Sequence, residues 1–259
     1  MRVFVTVKHV PDTTEVRFGP DGSLLVDRAP TKINDYDRNA LEAAAQLREG
    51  GAEVVIGCVG PPEATKTLKE ALAFGAEHAV LVSGTWARSI DSATTARVLA
   101  ALARHEGPFD LFVSGDVSED GYDGLVPGLL ASEMGVPLLR GVHSMIVDSA
   151  TVVASRALED ANEEWQLDLP AALSVTRLLN APRTITTMQV MKVPMSRVRT
   201  ISAGELGIDE ASLDEAAHTV RTLEVRPAAQ GRHNEMLAGS PAEVVHELLT
   251  RLEAMGVLT

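Results

Sequence analysis

The residues best placed to do chemistry form one run, Gly115-Asp116-Val117-Ser118-Glu119-Asp120-Gly121-Tyr122-Asp123-Gly124, continued by Leu125 and Val126. Its glycines let backbone amides approach a phosphate, Ser118 adds a hydroxyl donor, and an apolar helical pattern follows at once. A helix N-terminus at that point adds further N–H donors. The acidic residues Asp116, Glu119, Asp120 and Asp123 suit a phosphate less well, and can instead cap the helix or bond ribose hydroxyls. The spacing is not the G-x-G-x-x-G of dinucleotide sites, so a nucleotide loop and a solvated acidic turn both stay open on this run alone. Thr6-Val7-Lys8 and Val59-Gly60-Pro61 have similar potential, because each ends a short apolar, β-branched run.

Side-chain catalysis has no equivalent signature. The chain contains no G-x-S-x-G elbow, Walker lysine loop or H-E-x-x-H pair. Its seven histidines (His9, His78, His105, His143, His218, His233, His246) are scattered without ligand spacing, so no metal site is expected. The single cysteine, Cys58, excludes an internal disulfide framework and reads as a small buried hydrophobe.

These loops need strands to end on and helices to begin from, and the patterning provides both. Strands are expected at Val3–Val7, Val54–Gly57, Ala79–Val82 and Asp110–Ser114. They alternate with helices from Asn34-Asp35 to Gly50, over Glu63–Phe74, over Asp91–His105 and over Leu125–Met134. Asn34-Asp35 is the expected cap of the first helix. Residues 11–22, with Gly19-Pro20 and Asp21-Gly22, predict a loop or small hairpin. Such repeated β-α units imply a Rossmann-like α/β fold, a parallel sheet with helices on both faces.

After Gly135 the rhythm changes. Val142–Val147, Thr151–Ala157 and Glu164–Leu169 read as appended antiparallel hairpin strands, with a last strand at Ala172–Val175. Residues 180–199 show no clear periodicity and predict a long irregular segment with an exposed series, Met188, Met191 and Met195. A polar linker over 219–239 leads to Ser240-Pro241, which opens an amphipathic helix to Met255.

Composition narrows the classes. The 259 residues are 45% hydrophobic and 23% charged, with a net charge of −13 that disfavours nucleic acid and anionic lipid. Only 3% are aromatic, which fits small side chains between a sheet and its helices and argues against base-stacking platforms. No apolar run approaches the ~20 residues of a bilayer span, so an integral membrane protein is not expected, and the chain reads as cytoplasmic or as the matured form of something imported.

Five segments, in order along nearly the whole chain, are similar to the β subunit of electron-transfer flavoproteins, and most to its FixA-like branch. They are Val7-Lys8-His9-Val10-Pro11-Asp12-Thr13, Lys32 through Ala44, Gly115-Asp116 through Gly128, Arg156-Ala157-Leu158-Glu159-Asp160 with Leu169 through Val175, and Asn180-Ala181-Pro182-Arg183. The resemblance implies a heterodimer with an α subunit carrying FAD, while this subunit holds AMP or, in bifurcating members, a second FAD. It implies cofactor contacts at Thr6, Lys8, Asn34, Asp35, Tyr36, Asp37, Val59, Gly60 and the span Gly115 to Val126. It also makes residues 180–199 a recognition loop whose docking residues would be Thr187, Met188 and Met191, facing a flavin dehydrogenase or quinone oxidoreductase.

Residues 1–200 would then be the nucleotide-binding domain, and 201–259 an arm and helix docking on the partner subunit. The sequence departs from many relatives in having Asp116 where they have a basic residue, and Leu125 where they have glutamine. The leading expectation is an electron carrier, whose chemistry would belong to the cofactor. A stand-alone adenine-nucleotide module is the alternative.

Overall fold

The first apolar run forms β1 (Arg2–Thr6), buried from Val3 onward because helices cover both of its faces. The computed structural model of the chain describes residues 1–20, 22–213, 220, 223, 225 and 234–258. A two-stranded antiparallel ribbon follows, β2 (His9–Pro11) with β3 (Thr31–Ile33). Within its connection Phe18 pairs with Leu24 in a small hairpin, as the turn residues predict. The alternation then runs α1 (Asp35–Glu49), β4 (Glu53–Val59), α2 (Ala64–Leu72), β5 (His78–Val82), α3 (Ser92–Glu106), β6 (Leu111–Gly115) and α4 (Val126–Met134). After it come β7 (Leu138–Val147), β8 (Thr151–Ala157), β9 (Asn162–Asp168), β10 (Ala171–Val175), α5 (Thr187–Lys192) and β11 (Val198–Ile201).

Nine strands make one sheet in the order β11-β5-β4-β1-β6-β10-β7-β8-β9. Neighbours from β11 through β7 are parallel, and β7, β8 and β9 are antiparallel. This is the Rossmann-like α/β architecture with an appended hairpin. Alternate strand residues feed two cores, as the period-2 pleat requires. Val3, Val5, Val54 and Ile56 pack beneath α1 and α2, while Phe4, Val55 and Phe112 pack against α3 and α4. The scarcity of aromatic residues becomes intelligible here. Helix α1 approaches the sheet through Ala40 and Ala44, and three of the few aromatic rings, Phe4, Phe109 and Phe112, fill the opposite core as a mutually tilted cluster. A Cβ on Gly57 would lie 2.3 Å from the Phe4 ring, so that ring occupies the space a side chain on β4 would need.

One expectation is corrected. Residues 180–199 are not wholly irregular. Thr186 accepts a hydrogen bond from the Gln189 amide while the Gln189 side chain answers at Thr186, and this capping box nucleates α5. The chain then adds β11 to the sheet beside β5. The antiparallel pairing expected over Val142–Val147 is present against β8, with a register shift between Val142 and Ser144, and β7 starts earlier, at Leu138, where its first half runs parallel to β10. The strand expected at Ala172–Val175 is present as β10, interior between β6 and β7, which explains why all five of its residues are buried.

Residues 1–225 form one compact unit and 226–259 a second, and β11 spans residue 200. Within the second unit, Ser240 and Glu243 form a capping box, Pro241 opens α6 (Pro241–Ala254), and Arg251 bridges Glu235 and Glu247. Val245, Leu248 and Leu249 along this helix are exposed. The polar linker expected over 219–239 lies largely outside the described residues.

Candidate functional site

A cavity of about 1170 Å³ opens at the carboxyl ends of β1, β4 and β6. That is where an open parallel sheet presents helix N-termini and free amides to a ligand. Val16, Phe18, Leu24 and Val26 of the small hairpin supply an apolar wall. Thr6, Lys8, Asn34, Asp37, Val59, Gly60, Gly115, Asp116, Val117, Ser118, Asp120, Asp123, Gly124 and Val126 all line it. Asp35, Tyr36, Glu119, Gly121, Tyr122 and Leu125 are not part of its lining, and neither are Thr187, Met188 and Met191 on α5.

The first turn of α1 shapes the glycine-rich loop. Asn34 precedes the helix, yet its side chain does not cap it, contrary to the expectation from sequence. Instead Asn34 Nδ2 donates to the Val117 carbonyl at 2.9 Å and Asn34 Oδ1 accepts from the Glu119 amide at 3.1 Å. Three residues on, Asp37 Oδ1 accepts from the Gly115 amide at 3.2 Å and Oδ2 from the Lys8 amide at 2.7 Å. One buried carboxyl therefore ties the end of β1 to the end of β6. Burial pushes the Asp37 pKa up to about 7, although the two amide donors pull it down.

That shift has a sign. The ordinary value of this carboxyl is 3.8, so the folded state holds the proton more tightly than the unfolded chain. Its contribution to stability is complete below about pH 4 and lost as pH rises through about 7. Between pH 5 and pH 8 the native protein should lose roughly 2–3 kcal/mol relative to Asp37→Asn in urea denaturation. Parallel pH profiles for the two proteins would show an ordinary, ionised carboxylate instead.

The acidic residues of the loop are largely consumed by cations. Lys8 Nζ meets Asp120 at 2.8 Å and Ser118 Oγ at 3.3 Å. Lys32 bridges Glu119 at 2.9 Å and Asp35 at 3.2 Å, and Arg140 reaches Asp116 at 3.3 Å. Asp116 also accepts from Ser174 Oγ at 2.6 Å, and Asp123 accepts from Ser92 Oγ and from the Leu125 amide. The loop thus presents little net negative charge to a ligand, and Lys8 supplies an ammonium that the glycine-rich run itself lacks.

The donor set fits a nucleotide. Val117, Ser118, Asp123 and Gly124 line the cavity, and their backbone amides have no intramolecular acceptor among the described residues. Such amides beside the start of α4 are what a phosphate needs. The volume exceeds the usual range for small-molecule sites and is ample for a mononucleotide and for an extended dinucleotide.

Several lining residues were not anticipated as site residues. His9, Glu63, Lys66, Arg88, Ile90 and Thr95 enter from the ribbon and the helix starts. His9 donates to or accepts from Thr67 Oγ1 at 2.7 Å, and burial lowers its pKa despite the nearby Glu63. The position of His9 just past Lys8 was the available signal; nothing local marked the others. Cys58 is fully buried, its thiol pushed up to about 12 by that burial, as the sequence implies for a core residue.

The methionine-bearing segment is fastened by a second pair of motifs. Asn39 and Asn180 exchange hydrogen bonds, Nδ2 of each donating to the other's carbonyl at 2.8 and 3.0 Å. Glu42 accepts a fork from Arg183, at 2.7 Å from Nε and 3.0 Å from Nη2. Two residues three apart on α1 thereby hold two residues three apart at the start of the segment. Beyond this anchor Met188 and Met191 are 68% and 74% exposed, too bare for residues whose role is packing. No helix among the described residues is long and apolar enough to cross a membrane, and none of their His, Cys, Asp and Glu side chains cluster as a metal site.

Comparison with known proteins agrees with this layout. Residues 23–206 match the family model described as "Electron transfer flavoprotein domain". Over the full length of both proteins the chain is 30% identical to the caffeyl-CoA reductase-Etf complex subunit CarD of Acetobacterium woodii. It is 33% identical to an electron transfer flavoprotein subunit beta of Clostridium acetobutylicum, over 82% of this chain and 83% of that one. The subunit beta of Mycobacterium tuberculosis is 30% identical over 87% of this chain and 89% of its own.

Proposed function

This chain belongs to the electron transfer flavoprotein domain family, and from that premise we propose that it is the β subunit of a heterodimeric flavoprotein. It binds AMP or a second FAD in the cavity at the strand ends, and its FAD-carrying partner is an α subunit. The single observation that carries the nucleotide reading is the set of backbone amides without an acceptor at Val117, Ser118, Asp123 and Gly124, residues that line a cavity of about 1170 Å³.

When bound, flavin supplies the electron-carrying chemistry; the residues of this chain bind and orient. The amides of the glycine-rich loop and the α4 N-terminus receive the phosphate. Lys8 exchanges Asp120 for the phosphate charge, and the hairpin wall of Val16, Phe18, Leu24 and Val26 excludes water from the apolar part of the ligand. Residues 1–200 act as the nucleotide-binding body and 201–259 as an arm that docks on the α subunit, with the bare stripe of α6 as its adhesive face. Met188 and Met191, with Thr187 beside them, dock a flavin dehydrogenase or quinone oxidoreductase. The FixA-like segments Lys32 to Ala44 and Gly115-Asp116 favour the branch in which a second FAD supports bifurcation. The protein works in the cytoplasm.

Titration of the purified chain with AMP tests the nucleotide reading. Lys8→Ala should weaken AMP about 5- to 10-fold, the worth of one ordinary hydrogen bond, because this half-exposed ammonium must first give up Asp120. Equal affinity of Lys8→Ala and the native chain would remove Lys8 from the phosphate site, and no binding to either would remove the site.

A further inference from the structure

The outer side of the glycine-rich loop carries a contact that the cavity does not use. The chain has two tyrosines, and they touch each other. The Tyr36 and Tyr122 hydroxyl oxygens are 3.1 Å apart, and their rings meet edge to face with centroids 6.4 Å apart. Tyr36 sits in the same helical turn as Asp37 and just after Asn34. These three residues each hold a different part of the loop, Asp37 at Gly115, Asn34 at Val117 and Glu119, and Tyr36 at Tyr122. The first two fastenings are made by buried side chains, whereas Tyr122 is 66% exposed.

Tyr122 also holds the one positive φ of a non-glycine residue among those described, 56°. A bulky side chain keeps that conformation only where its surroundings enforce it. A strained residue held at its tip by a solvent-accessible hydroxyl contact is the fastening most readily released.

We propose that the Tyr36–Tyr122 contact is a clasp that keeps residues 118–124 in their ligand-holding shape, and that its opening sets the rate at which a phosphate-bearing nucleotide leaves. Both tyrosines are positioning residues, since neither lines the cavity. The inference rests on the nucleotide reading above and adds to it which contact controls release.

The test uses the full chain with AMP as probe and measures dissociation after dilution into competing nucleotide. Tyr36→Phe and Tyr122→Phe keep the rings and remove the hydroxyl contact. Each should speed AMP release about fivefold, the worth of one hydrogen bond, with association and melting temperature nearly unchanged. The double variant should be no faster than either single variant, because all three lose the same contact.

A second readout is spectroscopic, because two tyrosines are the chain's whole complement. The Tyr122 hydroxyl, then burial, push Tyr36 up to about 12, with Arg177 and Asp116 the charges that face it. Alkaline titration of tyrosine absorbance should show that high step in the native chain and its return toward 10 in Tyr122→Phe. Equal release rates in native and variant chains, additive effects in the double variant, or an unmoved titration step would each overturn the clasp alone. Failure of the native chain to bind AMP would overturn the nucleotide reading and the clasp with it.

Discussion

Gly115→Ala should abolish nucleotide retention, weakening AMP by about 100-fold, equivalent to losing two or three loop hydrogen bonds. The reason is geometric. A Cβ at this position would lie 2.3 Å from Asp37 Oδ1, 2.7 Å from Tyr36 Cβ and 2.9 Å from the Tyr36 carbonyl carbon. Asp37 cannot retreat without releasing the Lys8 amide, which its other oxygen holds at 2.7 Å. The methyl group therefore displaces the β6 end and the loop that begins there, and stability should fall by about 1–3 kcal/mol as in other overpacked cores. Gly121→Ala is the matched control. Its added Cβ would meet nothing closer than Ser118 Oγ at 3.6 Å, an ordinary contact, so AMP affinity should stay within about twofold. Calorimetric titration of the two variants checks this, and equal affinities would contradict the assigned role of Gly115.

Arg183→Ala should separate docking from binding. Arg183 gives Glu42 two side-chain hydrogen bonds and a backbone one at 3.1 Å, and reaches Glu49 at 3.0 Å. Burial pushes the Glu42 carboxyl up, but the Arg183 fork outweighs it and holds the group below its ordinary value. Truncation leaves a buried carboxylate with the Gln46 amide and one backbone donor. We expect a loss of roughly 2 kcal/mol, less than for a fully buried pair because Arg183 is partly exposed. With the Arg183 half of its anchor gone and only the Asn39–Asn180 exchange left, the segment carrying Met188 and Met191 should no longer present them in register. Electron transfer to a redox partner should fall more than about tenfold while AMP affinity stays native. Arg183→Lys, which keeps the charge without the fork, should recover part of the transfer rate. Native transfer by Arg183→Ala would show that the anchored segment is not the docking element.

Much of this arrangement was legible in the sequence. The β-branched runs at Val3, Val54, Ala79 and Leu111, each followed by an amphipathic helix, specify the parallel sheet because only that layering buries them on both faces. The ends of those strands locate the cavity, and the glycine-rich loop lies on it. The interior place of β10 was less legible, since a five-residue apolar strand carries no record of its neighbours. Helix α5 had a readable signal in Thr186 and Gln189, three apart, obscured by the prolines on either side. Long-range side-chain pairings were hidden altogether. Asn34 has the residue type and position of a helix cap, and only the folded chain shows it turned toward Val117 and Glu119. Likewise the acidic residues of the loop looked hostile to phosphate until Lys8, Lys32 and Arg140, distant in sequence, were placed against them.

The most direct test of the central claim is to co-express this chain with its α-type partner, purify the complex, and identify the cofactors released on denaturation. The account predicts a heterodimer that releases FAD together with a second adenine nucleotide, AMP or FAD. In a complex carrying Gly115→Ala that second nucleotide should be lost while the partner's flavin remains. Release of a second nucleotide in full from the Gly115→Ala complex, or a chain that binds neither partner nor nucleotide, would contradict it.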